Sequence, residues 1–236
     1  MSHTLNIIFD FDDTLVYTNE LFDIAKDRFY LRMAELGFDD TDVPKLLNDC
    51  DIANIAKAGA MKSSCFANAM ADAYAELCRR HGQAPDAAIT AEVVELGYQP
   101  YNARQRRFPG AEELLQRLRD RGDCRLNLVT QGEFAIQNRR IGESGFDKYF
   151  DNIFIVPLKY PTIYVDMCRE QGWDAARTLS VGNSIRSDIN PSITAGFKAV
   201  LLLIRAWDYE KTEPLGPHLR IAALEELDDI VEEMLK

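Results

Sequence analysis

The chain has 236 residues, 47% of them hydrophobic and 28% charged, which suits one large globular domain or one domain with a substantial insert. Its formal net charge of −11 argues against nucleic acid and anionic membranes as main partners, but a locally bound cation could still let one pocket accept a phosphorylated substrate. We expect a cytoplasmic protein without a membrane partner, because no apolar run could span a bilayer, no signal peptide is visible and the five cysteines form no Cys-x-x-Cys pair.

The first predicted element is a buried strand that is followed at once by carboxylates. The residues from Leu5 to Phe9 form a continuous apolar run, which is typical of a strand covered on both faces. Asp10 and Asp12 share one side of an extended chain, and they repel each other unless one is protonated or a cation binds. Open α/β sheets bind ligands at such strand ends. Taken alone, the segment could also be an acidic loop that ends a strand.

The next block, residues 19 to 98, contains little that resembles a strand. Apolar residues recur there at helical spacing, with polar residues that could cap the helices at their starts and glycines at their ends. The expected helices run from Asn19 to Gly37, from Ser63 or Ser64 to Gly82, and from Thr90 to Leu96. The sequence therefore predicts an all-helical insert after the first strand.

From Phe108 onward, predicted strands alternate with predicted helices. The expected strands are Leu126 to Thr130, Ile153 to Val156, Thr178 to Val181 and Ala199 to Ile204. The expected helices follow Pro109-Gly110, lie near residues 133 to 143, span Pro161 to Gln171 and lie near Pro191 to Ala195. This alternation implies βαβ units around a parallel sheet, which the first strand must join because alone it buries nothing. The tail is expected to start as a loop at Trp207 and to end in an acidic helix, about Leu224 to Leu235.

Three later strands are each followed by groups that suit a metal-bound phosphate. Thr130 and Gln131 combine a hydroxyl with backbone N–H groups that open a helix, which makes an anion cradle. Lys159 supplies a compact ammonium suited to phosphate. Asn183 and Asp188 supply oxygen ligands of the kind that Mg²⁺ takes beside waters and phosphate oxygens. Taken singly, a strand-end hydroxyl, a solvated lysine or a helix cap explains each residue, but together they indicate one site.

In this order, the residues resemble the four motifs of the haloacid dehalogenase-like (HAD) hydrolase superfamily, and the resemblance covers the whole chain. The matching segments are Asp10-Phe11-Asp12-Asp13-Thr14, Leu128-Val129-Thr130, Lys159, and Val181-Gly182-Asn183-Ser184 with Asp188. The resemblance implies an α/β fold with a Rossmann-like parallel sheet core (residues 1–17 and 106–236) and an inserted all-helical cap domain (18–105) that closes over the site. Asn183 stands where the family usually has an acid, although an amide oxygen can still coordinate Mg²⁺.

The resemblance further implies a Mg²⁺-dependent phosphatase that hydrolyses a small phosphorylated metabolite through an aspartyl phosphate. Asp10 would be the nucleophile, and Asp12 would protonate the leaving oxygen and then take a proton from water. The residues that would bind the phosphate, by side chain or backbone N–H, are Phe11, Asp12, Thr130, Gln131 and Lys159. The implied Mg²⁺ ligands are Asp10, Asp12 through its backbone carbonyl, Asn183 and Asp188.

Other functions remain open at this point. A haloacid dehalogenase also uses the first aspartate but needs no second acid, so Asp12 argues against it. A phosphomutase could use the same core, and the departure at Asn183 leaves room for a catalytically weak binding or regulatory member. A phosphoacceptor receiver domain would leave the helical insert unexplained. The physiological substrate and the oligomeric state do not follow from the sequence.

Overall fold

The computed structural model describes residues 4–206 and 212–236, so the loop expected to start at Trp207 begins outside the described residues. The chain forms two compact units. One contains Met1–Tyr17 and Gln105–Lys236, and we call it the α/β unit; the other, Thr18–Arg104, is the helical unit. Gln105, which the sequence assigned to the insert, belongs to the α/β unit, where its side chain bonds to Asp12.

The α/β unit is built around a six-stranded parallel sheet in the order β5-β4-β1-β6-β7-β8, which confirms the predicted fold class. The strands of the structure are β1 Leu5–Phe9, β2 Val16–Tyr17, β3 Arg106–Arg107, β4 Cys124–Gln131, β5 Asn152–Val156, β6 Thr178–Gly182, β7 Lys198–Leu202 and β8 Leu219–Ile221. The two short strands β2 and β3 pair antiparallel in a separate ladder. The order reverses about β1, which pairs with β4 on one side and β6 on the other, so the loops after these three strands begin side by side.

The central strand β1 is buried on both faces, as its continuous apolar run predicts. Leu5, Ile7 and Phe9 belong to one apolar cluster, which also contains leucines of the helices that follow β3 and end the chain. Ile8 points the other way, into a second cluster with Val129 of β4. The sheet is therefore held from both sides, and the polar residues directly after β1 lie at the rim of a rigid core.

The helical unit contains four helices, α1 Asn19–Glu35, α2 Val43–Ala58, α3 Ser63–Arg80 and α4 Ala87–Asn102. Their apolar faces form one cluster of buried side chains, which includes Phe29, Leu47 and Leu77. The helix α4 begins where the Asp86 carboxylate accepts hydrogen bonds from two backbone N–H groups.

The α/β unit carries five α-helices among its described residues, α5 Ala111–Arg121, α6 Phe134–Ser144, α7 Ile163–Gln171, α8 Asn190–Thr194 and α9 Leu227–Leu235. A single π-helical turn, Ile185–Ile189, precedes α8. No helix in the described part of the chain has the length and apolar character that crossing a membrane requires. The five cysteines all lie in the described part, and none forms a disulfide.

Several local expectations differ from the structure. Asn19 and Ser63 are the first residues of their helices, so Thr18 and Lys62 take the preceding N-cap positions. The predicted short helix at Thr90 to Leu96 is sixteen residues long, because Gly97 stays inside α4, packed against Ala67 of α3. The helix α2 and the three-residue strand β8 were not predicted.

Candidate active site

Asp10, the first residue after β1, is fixed by both its backbone and its side chain. Its N–H donates to the carbonyl of Val181 on β6 at 3.0 Å. Its Oδ2 accepts a hydrogen bond from the Thr14 hydroxyl at 3.1 Å. The loop between them turns at Asp13, whose φ of 56° lies in the left-handed region that aspartate tolerates better than most residues. This turn brings Thr14 back to Asp10 and leaves the other carboxylate oxygen, Oδ1, facing Lys159.

Lys159 joins two carboxylates from different strand ends. Its Nζ donates to Asp10 Oδ1 at 2.7 Å and to Asp188 Oδ1 at 2.6 Å. Asp10, Lys159 and Asp188 are all buried, and only 3% of the Lys159 surface is exposed. Its backbone N–H donates to the Gln131 side-chain oxygen at 3.1 Å, so Gln131 holds the Lys159 loop against β4. The structure thus brings the groups that follow β1, β5 and β6 to a single point.

The electrostatics of this trio follow from burial and from two acids sharing one cation. Burial raises the pKa of Asp10 to about 7, and the Asp188 carboxylate adds to this while Lys159 opposes it. Burial by itself would lower the pKa of Lys159, but Asp10 and Asp188 outweigh it and hold that pKa well above its usual value. The lysine therefore stays charged, and Asp10 is a carboxyl whose charge depends on its partners.

Asp188 reaches the trio because the segment after β6 forms the π-helical turn. Its Oδ2 accepts a hydrogen bond from the Ser184 N–H at 3.0 Å, which leaves Oδ1 directed at Lys159. Gly182 makes room for this side chain, because a β-carbon there would lie 2.3 Å from the Asp188 Cγ atom. Any other residue at position 182 would have to displace Asp188.

Asp12 lies in a separate polar cluster on the same rim. Its Oδ1 accepts from the Gln105 amide at 2.8 Å, and its Oδ2 accepts from the Gln137 amide at 2.6 Å. The Arg140 guanidinium is 3.7 Å from Oδ1. Thr130, which is fully buried, accepts from the same Gln137 nitrogen at 2.7 Å. Asp12 and Thr130 are therefore linked to each other through Gln137.

The side chains of Phe11 and Asn183 face groups outside the Lys159 trio and the Asp12 cluster: the first lies in the apolar core and the second faces the Arg205 carbonyl. The Phe11 side chain belongs to the apolar core, so only its backbone could take the phosphate-binding part expected from the sequence. Asn183 is buried, and its side-chain nitrogen lies 3.5 Å from the carbonyl of Arg205, the long limit for a hydrogen bond. Its amide is thus only weakly held by this contact.

The carboxylates of Asp10 and Asp188 suit a Mg²⁺ ion. Among the described residues, no three His, Cys, Asp or Glu side chains form a metal cluster, so the Asp12 carboxylate is not grouped with those of Asp10 and Asp188. Those two acids share one partner atom and are therefore close enough to serve one cation. Mg²⁺ commonly takes one or two carboxylates and completes its shell with waters and substrate phosphate.

Sequence reasoning missed Gln105, Gln137 and Arg140. Gln137 and Arg140 are almost fully buried in α6, where Ile141 is buried as well, while Asn138 and Arg139 between them are exposed. Their spacing of three places them on one helix face, but that spacing does not show burial, so the sequence alone does not separate this pair from a solvated one. Nothing in the sequence indicates a role for Gln105.

Comparisons with known proteins point to one family. A model described as haloacid dehalogenase-like hydrolase matches residues 5–196. Pyrimidine 5′-nucleotidase YjjG of Escherichia coli K12 is 32% identical over 130 residues, which is 52% of this chain and 56% of that protein. Glyceraldehyde 3-phosphate phosphatase of Methanopyrus kandleri is 25% identical over 239 residues, which is 98% of each chain.

Solved structures share the fold. A haloacid dehalogenase-like family hydrolase from Xanthomonas campestris superposes with a TM-score of 0.81 at 21% identity, covering 98% of this chain and 92% of the other. The hydrolase YfnB from Bacillus subtilis, bound to magnesium, gives a TM-score of 0.65 at 21% identity, with 97% and 98% covered. L-2-haloacid dehalogenase from Xanthobacter autotrophicus gives 0.63 at 17% identity, with 98% and 99% covered.

Proposed function

The chain belongs to the haloacid dehalogenase-like hydrolase family and is an enzyme, and from this premise we propose a Mg²⁺-dependent phosphatase for a small phosphorylated metabolite. The observation that carries the proposal is the pair of separate acid environments, one at Asp10 beside Lys159 and one at Asp12 beside Gln137. Two acids in different surroundings suit two different tasks in one reaction. The phosphatase and nucleotidase named among the relatives support the same reaction class.

In the first step, an oxygen of Asp10 forms a bond to phosphorus as the bond from phosphorus to the leaving oxygen breaks. Asp12 gives its proton to that oxygen, which departs as an alcohol and leaves an aspartyl phosphate. Lys159 and Thr130 donate hydrogen bonds to the phosphate oxygens and offset the negative charge that builds up on them. The backbone N–H groups of Phe11, Asp12 and Gln131 would assist.

In the second step, Asp12 takes a proton from a water molecule. The water oxygen bonds to phosphorus as the bond from phosphorus to Asp10 breaks, which releases inorganic phosphate and restores both acids. Asp10, the Asp12 backbone carbonyl, Asn183 and Asp188 would hold Mg²⁺, which when bound neutralises phosphate charge that would repel the nucleophile.

The environment of Asp12 favours a phosphatase over a dehalogenase. A halide leaves without a proton, whereas an alkoxide needs one, so an acid beside the leaving group is useful only in the second case. Asp12 is held by two amide groups and is therefore positioned rather than mobile. The structural likeness to L-2-haloacid dehalogenase is a likeness of fold.

The proposal extends to location and partners. The net charge of −11 and the unpaired cysteine thiols suit a cytoplasmic enzyme whose partner is a small phosphorylated substrate rather than nucleic acid or a membrane.

The proposal is tested with 4-nitrophenyl phosphate and Mg²⁺, comparing the wild type with Asp10→Asn. We expect the wild type to release nitrophenolate and phosphate, and Asp10→Asn to lose at least about a hundredfold in kcat/KM, because an amide is a poor nucleophile of almost the same shape. Asp229→Asn, the same change at an exposed position, should leave the rate unchanged.

Two outcomes would contradict the proposal. If Asp10→Asn keeps more than about a hundredth of the wild-type rate, Asp10 is not the nucleophile. If the wild type releases chloride from L-2-chloropropionate and no phosphate from phosphate esters, the enzyme is a dehalogenase. Incubation with sugar phosphates, followed by analysis for an isomeric phosphate, separates hydrolysis from a phosphomutase reaction.

A further inference from the structure

Gln137 occupies the centre of the polar cluster around Asp12. It lies on α6, and only 2% of its side chain is exposed. A single atom, Nε2, lies 2.6 Å from Asp12 Oδ2 and 2.7 Å from Thr130 Oγ1. The other end of the amide, Oε1, accepts from Arg140 at 3.3 Å. One buried amide thus joins an acid, a hydroxyl and a guanidinium.

The orientation of this amide is fixed by the chemistry of its neighbours. A guanidinium only donates hydrogen bonds, so the amide atom that faces Arg140 must be the oxygen. With its oxygen at Arg140, the amide turns its nitrogen towards Asp12 Oδ2 and donates to it. The alternative flip of Gln137 would place its nitrogen against the guanidinium, where two donors would face each other.

This orientation determines what Thr130 can do. The Nε2 group carries two hydrogens, one for Asp12 and one for Thr130, so the Thr130 oxygen acts as an acceptor in this bond. The hydrogen of the Thr130 hydroxyl is not used there and points elsewhere. A threonine whose oxygen is already accepting is oriented to donate, which is what binding a phosphate oxygen requires.

We propose that Gln137, oriented by Arg140, is a positioning residue that aligns the Asp12 carboxylate and the Thr130 hydroxyl together. The inference rests on the proposed phosphatase function, and it adds a physical link between leaving-group protonation and phosphate binding. Gln137 does not touch the reacting atoms. It acts through Asp12 and Thr130: Gln105 holds Asp12 Oδ1, Gln137 holds Asp12 Oδ2, and the same Gln137 nitrogen holds the Thr130 oxygen.

A packing role for Gln137 predicts different behaviour. Gln137 also lies against Gly132, where a β-carbon would come 3.1 Å from its Cγ atom, so the side chain fills space as well as making bonds. Methionine has a similar length and shape but no donors. Gln137→Met therefore keeps most of the packing while it removes all three hydrogen bonds of the amide, to Asp12, to Thr130 and from Arg140. Gln116→Met is the matched control on the exposed face of α5.

The first test is nuclear magnetic resonance of the Gln137 side-chain amide, which does not depend on activity. We expect two resolved proton signals that exchange slowly with water, because both protons are buried and bonded. Asp12→Asn should shift chiefly one signal, and Thr130→Val chiefly the other. The Gln116 amide should respond to neither substitution. If neither Gln137 signal responds to either substitution, the proposed bridge does not exist in solution.

The second test is kinetic and uses two substrates with Mg²⁺. In Gln137→Met we expect kcat/KM to fall about tenfold for 4-nitrophenyl phosphate and about a hundredfold for an alkyl phosphate, because only the alkyl leaving group needs the proton from Asp12. In addition, Thr130→Val should lower kcat/KM several-fold less in the Gln137→Met background than in the wild type, because a misaligned hydroxyl already contributes less to phosphate binding. Gln116→Met should match the wild type.

The outcomes separate this inference from the proposed function. If Gln137→Met slows both substrates equally and its effect multiplies with that of Thr130→Val, Gln137 is a packing residue and the inference is overturned while the phosphatase stands. If the wild type hydrolyses neither phosphate, the proposed function fails, and the resonance experiment still decides whether the bridge forms. A thermal unfolding midpoint for each variant identifies losses that come from instability.

Discussion

The two units of the molecule differ in what they bury. Of the 18 polar or charged side chains buried among residues 4–206 and 212–236, all but Thr18 lie in the α/β unit. The helical unit keeps its charges at the surface, in pairs such as Arg80 with Asp42 and Arg32 with Glu92. Its interior is made largely of leucine, phenylalanine, methionine and alanine side chains.

This difference predicts how each unit responds to substitution. A buried polar group costs free energy unless it is bonded, and a buried charge costs more unless it is paired. The α/β unit meets these costs with the Lys159 trio and with the contacts around Asp12, whereas the helical unit avoids them. We expect substitutions of buried charge to act strongly in the first unit and substitutions of apolar volume to dominate in the second.

The largest effect is expected for Lys159→Met, which leaves Asp10 and Asp188 buried without their shared cation. We expect it to abolish phosphatase activity and to lower the free energy of unfolding by about 3–5 kcal/mol, the usual cost of removing one partner from a buried charge group. Lys45→Met removes an exposed partner of Asp49 in the helical unit and should change stability by less than about 0.5 kcal/mol.

The measurement for this pair is chemical unfolding of both variants and the wild type at one pH and ionic strength. Equal stability losses for the buried and the exposed lysine would remove the proposed contrast between the units. A stable Lys159→Met protein would mean that the two carboxyls take up a proton in place of the lysine.

The next effect concerns apolar volume in the helical unit. Leu77 is fully buried in the helical core, and Leu77→Ala should lower the free energy of unfolding by about 2–5 kcal/mol through lost burial and the cavity left behind. Leu31→Ala is the matched control, because Leu31 is 63% exposed on α1 and should cost little. Thermal unfolding followed by circular dichroism measures both, and similar midpoints for the two variants would show that the helical core is loosely packed.

The same contrast explains how far the sequence predicts the molecule. The strand Leu5–Phe9 and the residues after it could be predicted because an apolar run and its flanking acids are local features. The parallel sheet, and with it the convergence of strand ends, follows from the alternation of strands and helices, whereas the order of the strands comes from the structure. Asp10 and Lys159 meet across 149 positions because each lies at a strand end, which the pattern anticipates.

The contacts around Asp12 could not be predicted in this way. Gln137 meets Asp12 across 125 positions, and Gln105 meets it across 93, and neither has a local pattern that separates it from a solvated glutamine. The length of α4 was also missed, because Gly97 and Pro100 normally end a helix, yet both lie inside α4, where Gly97 packs against Ala67. In both cases a tertiary contact outweighs the local preference.

A smaller effect is expected at Asp51, a carboxyl of the helical unit that departs from its apolar pattern. One of its oxygens is buried without a hydrogen-bond partner, and burial raises the pKa of Asp51 from 3.8 to about 6, opposed by Lys26. The protonated form is therefore favoured in the folded state. Its stabilising contribution is complete below pH 3.8, the unfolded value, and is lost as the pH rises through about 6.

Asp51→Asn should consequently raise the free energy of unfolding at pH 7 by about 1–2 kcal/mol, allowing for the partial exposure of the group. The gain should vanish at acidic pH, where Asp51 is protonated in both states. Asp39→Asn, the same change at an exposed position, serves as the control and should change the free energy of unfolding little at either pH. A gain from Asp51→Asn that is the same at both pH values would rule out titration of Asp51 as its cause.

The smallest effect tests how much charge the interior of the α/β unit can still accept. If the Asn183 amide oxygen lies in the Mg²⁺ shell, Asn183→Asp adds a negative ligand, and carboxylate count tunes affinity for hard cations. We expect a several-fold lower Mg²⁺ concentration for half-maximal activity and a matching change in the dissociation constant from calorimetry. The maximal rate need not rise, because the added charge also repels phosphate.

Asp188→Ala should shift the Mg²⁺ requirement in the opposite direction. Asn138→Asp, which adds the same charge on the exposed face of α6, controls for net charge. If Asn183→Asp leaves the Mg²⁺ dissociation constant unchanged, Asn183 lies outside the metal shell, and Asp10, Asp188 and the Asp12 carbonyl are the protein's whole contribution to it.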